Sequence, residues 1–263
     1  MLACILLSLF AFTASFVTSP AAGLARPQTK SVALANIHHA TAKLHDPRRN
    51  VSPSPDYLAN CAVNGSNSKS CVKQALQAIN NARAAEGVRP MILPADYTSL
   101  SMAQQTFIVT DLERVDRGLR PFKGLTAKLN ANAHHAAVVR ADPTLVNAVM
   151  ALLGVREYGS IWAGDFGPLA SDYDWMYNDG YSANGSVNLD CQTRSAKGCW
   201  GHRHVILGAY SGLPTLVAGA GTAKPAGSSI AQIFVGSVKS SFQFVYTWRQ
   251  ALDAGASGHK ILA

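Results

Sequence analysis

The chain has 263 residues, 48% of them apolar and 14% charged, with a net charge of +8. Without its first segment it keeps about 240 residues, enough for one large domain with its own core. The basic balance favours anionic partners such as lipid head groups, glycans or cell-wall components, while the lack of a Lys/Arg run interleaved with aromatics excludes nucleic acid.

Residues 1–25 carry an apolar run with no charge and end in the small residues Gly23 and Ala25. This pattern predicts a signal peptide that lacks the usual positive start, and hence a secreted, extracellular protein. No later stretch is long and apolar enough to span a bilayer. Residues 26–60 hold Pro27, Pro47, Pro53 and Pro55 among basic residues and His38, His39 and His45, which predicts a flexible N-terminal arm. Four cysteines remain in the exported chain, and they fall into two close pairs, Cys61/Cys71 and Cys191/Cys199. Of the three possible connectivities the local one is expected, each bridge closing a loop of about ten residues and contributing roughly 2–3 kcal/mol.

The domain proper is expected over 61–252, with a short tail at 253–263. Ser70 opens a helix with Val72, Ala75, Leu76 and Ile79 at helical spacing, and Gly87 ends it. Ser101 and Gln104 form a capping-box pattern ahead of a second helix with the apolar stripe Ile108, Leu112, Val115 and Leu119. Glu113, Arg114, Asp116 and Arg117 on that helix read either as a solvated face or, for Glu113, as a cleft residue. A third helix runs over 126–140. Asp142 and Pro143 then start a fourth that closes at Gly154. Residues 170–178 form another helix, and Asn178-Asp179-Gly180 is a turn. Strands are expected over 215–218, 230–235 and 242–248. Helices followed by strands predict an α+β fold with an antiparallel sheet.

The densest chemistry lies between Cys191 and Leu207. A two-cysteine loop runs into Trp200-Gly201-His202-Arg203-His204, which packs two imidazoles and a guanidinium beside an indole. Asn80-x-x-Arg83-x-x-x-Gly87-x-x-Pro90, Trp175-Met176 and Gly201-His202-Arg203-x-Val205-Ile206-Leu207 together resemble the bacterial CAP superfamily. Its members are relatives of cysteine-rich secretory, antigen-five and pathogenesis-related proteins. The resemblance covers roughly residues 71–246 and implies an α-β-α sandwich, its antiparallel sheet flanked by helices, with a cleft on one side.

In that family the cleft presents two histidines and two acidic residues, sometimes around a divalent metal. Here His202 matches one histidine, Ser160 stands where a glutamate is usual, and the second histidine has no counterpart. His202 is therefore the one candidate metal ligand, and zinc the cofactor that the resemblance holds out. Glu113 and His202 are the candidate catalytic pair, expected to face each other across one hollow. Trp162, Asp165, Trp200, Arg203 and His204 are the candidate ligand contacts. Two functions follow. One is a monomeric binding module whose aromatic faces and polar groups take a small ligand, lipid, glycan or peptide. The other is an extracellular hydrolase in which His202 is a general base oriented by Glu113.

Overall fold

The structure is a computed structural model that describes residues 44–164, 167–223 and 228–256. The expected signal peptide, Asp165 and most of the expected arm lie outside them. Among the described residues eight helices surround a five-stranded sheet, so the fold is α+β. In chain order these are α1 (Leu58–Asn64), α2 (Lys69–Ala85), α3 (Met102–Val115), β1 (Gly124–Leu125), α4 (Ala127–Val139), α5 (Asn147–Leu153), β2 (Val155–Ala163), α6 (Pro168–Tyr177), α7 (Gly201–Ile206), β3 (Thr215–Ala223), β4 (Ser229–Ser237), β5 (Tyr246–Thr247) and α8 (Trp248–Asp253). No described helix is long and apolar enough to cross a membrane.

The sheet order is β2-β4-β3-β1-β5. β4 pairs antiparallel with both β2 and β3, whereas β1 runs parallel to β3, so the sheet is mixed rather than purely antiparallel. Alternation along β3 splits the core in two. Leu216, Ala218 and Ala220 join Phe107, Ile108 and Phe234 in one cluster, whereas Val217 joins Leu129, Ile233 and Val235 in another. Gly219 and Gly221 let α4 lie directly on the sheet, because a Cβ at either would overlap backbone atoms of Leu129 or of Ala133 and His134. Helices thus cover both faces of the sheet. Asn80 exchanges two hydrogen bonds with the backbone of Met91, and Arg83 Nε donates to Arg89 O, so the spaced polar residues of α2 tie down the connector that follows it.

Several boundaries differ from expectation. Ser68, not Ser70, caps α2. Residues 141–146 are not helical, and α5 begins only at Asn147, after Val146 and without a side-chain cap. The stretch 155–163 is a nine-residue strand, and of 242–248 only Tyr246 and Thr247 pair in the sheet before α8 begins. The expected loose arm is docked from Leu44 onward. Val51 N–H donates to Tyr177 O, the Tyr173 hydroxyl donates to Val51 O, and Asn50 makes two hydrogen bonds with the backbone of Gly180. Both disulfides form with the local pairing, with Cα–Cα distances of 4.8 Å for Cys61–Cys71 and 4.6 Å for Cys191–Cys199. Such bridges fit an oxidising compartment.

Candidate functional site

A cleft with a volume of about 470 Å³ lies where the loop after α4, the end of β2, α6 with the stretch that follows it, and α7 meet. The loop after α4 supplies Arg140 and Asp142. The end of β2 and helix α6 supply Trp162, Asp174 and Trp175. The turn after α6 supplies Asp179, the stretch just before the Cys191–Cys199 loop supplies Val187, Asn188, Leu189 and Asp190, and α7 adds His202. The volume falls within the range of small-ligand sites.

His202 is placed by Asp179. Its Nδ1 lies 2.7 Å from Asp179 Oδ1, and its backbone N–H donates to Asp179 Oδ2 at 2.9 Å. The Arg203 N–H reaches the same Oδ2 at 3.4 Å. One carboxylate thus caps the first turn of α7 from across the chain and fixes the imidazole. Arg114 closes the other end of α7, its Nη1 donating to the carbonyls of Ile206 and Gly208. Anion at the start and cation at the end both suit the helix dipole. Trp200 precedes the helix with φ of 62°, in the left-handed region. Its ring packs on Gly180, where a Cβ would collide with it.

The wall opposite α4 is equally fixed. The Asn188 side-chain amide donates to Asp179 Oδ1 at 2.7 Å, to Asp179 O at 3.1 Å and to Gly198 O at 2.9 Å. Gly198 lies so close to Asp190 that a Cβ there would overlap it, and the Cys191–Cys199 bridge holds the two ends together. The Trp162 indole donates to Ser229 Oγ at 2.8 Å, with the Arg140 guanidinium 5.8 Å from its ring centroid. Burial works against a charged His202, but its hydrogen bond to Asp179 and the charges of Asp179, Asp142 and Asp190 together raise its pKa above the ordinary imidazole value. Burial likewise raises Asp179, and the contact with His202 only partly offsets it. Asp142 is raised by desolvation, then by Asp190 and Asp179, against the opposing pull of His202 and the Trp162 N–H.

The expected pairing of His202 with Glu113 is not what the structure shows. Glu113 does not line the cleft. It is fully buried in an ion network with Arg83, Arg117 and Asp116, and the Tyr177 hydroxyl donates to its Oε1 at 2.9 Å. Burial opposes its charge, but Arg83, Arg117 and Tyr177 hold its pKa well below the ordinary carboxylate value. Asp172, buried beside it, is pushed well above that value by desolvation and by the charge of Glu113. The α3 charges are thus neither a solvated face nor a cleft wall. They are a buried cluster, because each carboxylate found an arginine on α2 or α3.

Arg203 extends this cluster, not the cleft. It is fully buried, donating to Met176 O at 2.7 Å and pairing with Glu86 at 3.0 Å. Glu86 in turn pairs with Arg117 at 2.7 Å. His204 points outward to Asp46 at 2.8 Å. Trp200 and Ser160 are not among the lining residues. Of the residues singled out by sequence, His202 and Trp162 come together; Arg203, His204, Trp200 and Glu113 do not join them. Asp179, Asp142, Asp190, Asn188 and Trp175 were missed. The turn signal at Asn178-Asp179-Gly180 is the sequence feature that could have pointed to the first of them. Among the described residues no group of three or more His, Cys, Asp or Glu is placed to hold a metal ion, and the Asp179 contact at His202 Nδ1 leaves Nε2 unengaged by that carboxylate.

No protein-family model matches the chain, and no curated protein matches it at a significant level.

Proposed function

We propose that the chain is an exported, CAP-like binding protein and that the cleft beside His202 takes its ligand without turning it over. The single observation that carries this reading is the lining itself. Among its described residues a preorganised His202–Asp179 pair, Asn188 and the half-buried Trp162 converge on one hollow of small-ligand size. The succession of α2 with Asn80 and Arg83, α6 with Trp175 and α7 with Gly201-His202-Arg203, followed by two long antiparallel strands, supports the family likeness. Two disulfides support export. The positive net charge lies outside the cleft, where aspartates outnumber Arg140 and His202. Anionic cell-surface components are therefore proposed for the exterior only.

The hydrolase reading keeps one observation in its favour. A histidine whose Nδ1 is held by a carboxylate at 2.7 Å is oriented as a general base toward water would be, with Asp179 in the role first given to Glu113. Titration with peptide, glycan and lipid panels, followed on the indole N–H signals of Trp162 and Trp175, separates the two. Binding predicts saturable shifts that His202→Ala weakens, with no product formed. Turnover of an ester or peptide substrate that vanishes in both His202→Ala and Asp179→Asn overturns it in favour of the hydrolase.

A further inference from the structure

The cleft has a split character that narrows the class of ligand. Its outer wall carries two exposed aliphatic side chains, Val187 at 52% and Leu189 at 73% exposure. Their exposure is not that of a frayed loop. Asn188 between them makes three hydrogen bonds to fixed backbone and to Asp179, and the Cys191–Cys199 bridge follows directly. Two apolar side chains held in water at the mouth of a concave site call for an apolar partner.

Around the lining the charges do not balance. Asp179 is engaged by His202, and Asp142, Asp174 and Asp190 line the same cleft from separate segments. Arg140 is the lining residue with a permanent positive charge, and its guanidinium lies over the Trp162 ring. Like charges brought together from independent segments cost folding energy, which an incoming cation relieves. The charge complement of this lining is a single ammonium or guanidinium. The complement of the rim is a hydrocarbon group within a few ångström of it.

We propose that the cleft receives a lysine or arginine side chain of a partner polypeptide, with apolar neighbours of that residue resting on Val187 and Leu189. This rests on the reading of the cleft as a binding site. The test uses the full exported chain and three capped pentapeptides, acetyl-Ala-Leu-Lys-Leu-Ala-amide and its counterparts with Gln or Glu at the centre. Affinities are read from the Trp162 and Trp175 indole N–H shifts. The lysine peptide is expected to bind roughly tenfold more tightly than the glutamine peptide, with the glutamate peptide weakest and the advantage shrinking at high salt. Asp142→Asn with Asp190→Asn, both at exposed positions, is expected to abolish the preference, and Leu189→Ser to weaken every peptide. Equal binding of all three peptides, no binding of any, or a preference that survives the double variant overturns the inference. If a neutral sugar or lipid shifts the same indoles instead, the binding reading stands while this one falls; if nothing does, both fall.

Discussion

Asp179→Asn tests the arrangement on which the site depends, because it removes the charge while keeping the shape. The carboxylate accepts the His202 ring at 2.7 Å, the His202 N–H at 2.9 Å and the Asn188 amide at 2.7 Å. An asparagine keeps one acceptor and turns an NH₂ group toward donors. Losing a hydrogen bond to a charged group costs about 1.5–3 kcal/mol, and weakening a helix cap costs about 1 kcal/mol more. A loss of roughly 3 kcal/mol near pH 6 is expected by urea denaturation. Both His202 and Asp179 bind protons more tightly folded than unfolded. Their contribution is therefore complete at acid pH. It declines as pH rises from 3.8 through the raised pKa of Asp179, then from 6.5 through that of His202. The gap between wild type and variant should consequently be smaller near about pH 9 than near about pH 6. In the variant the imidazole should titrate at lower pH than in the wild type, as followed by histidine NMR signals. If the variant unfolds at the same urea concentration and its imidazole titrates unchanged, Asp179 does not hold the ring, and the account of the site fails.

Four further outcomes follow from the packing. Asp111 is buried, accepts the Phe122 N–H at 3.0 Å, and has its pKa raised by burial from 3.8 to about 8 despite Arg114. Its contribution is present below pH 3.8 and lost as pH rises toward 8, a change on the order of 5 kcal/mol. Asp111→Asn should flatten that decline and exceed wild-type stability above about pH 8 in pH-dependent urea curves. Glu113→Gln should cost about 3–5 kcal/mol by leaving Arg83 and Arg117 buried without their carboxylate, yet leave the Trp162 indole shift unchanged. Gly219→Ala should lower the melting temperature by an amount corresponding to about 1–3 kcal/mol, because the new methyl overlaps Leu129 on α4. Replacing Cys191 and Cys199 together by serine should cost roughly 2–3 kcal/mol and speed amide exchange across 187–199, while exchange in α3 stays slow.

Much of the scaffold could be read from local signals, because those signals are local in cause. The Ser101–Gln104 capping box, the Thr126 start of α4, and the Gly154 stop each depend on a few neighbouring atoms. What failed depended on distant partners. Asp142-Pro143 carries a sound helix-start pattern, but Asp142 lines the cleft beside Trp162 and the helix starts only at Asn147. The charged run of α3 has the spacing of a solvated face, and nothing in it announces that Arg83 on α2 will enclose it. Residues 242–248 are rich in strand-forming side chains, yet only two of them find a partner strand.

The Gly-His-Arg-His segment shows why density along the chain misleads about density in space. Successive residues on a helix point about 100° apart, so three ionisable side chains in a row cannot share one site. Here each takes a different environment. His202 turns to Asp179 and the cleft, Arg203 turns inward to Glu86 and Met176 O, and His204 turns outward to Asp46. The helix therefore joins two electrostatic systems without merging them. Arg203 anchors it in the buried cluster that holds Glu113, and that anchor fixes where the neighbouring imidazole must lie. Glu113 acts on the cleft only through such packing. A substitution there should change how firmly α7 is seated, whereas a substitution at Asp179 or Asp142 should change what the cleft binds.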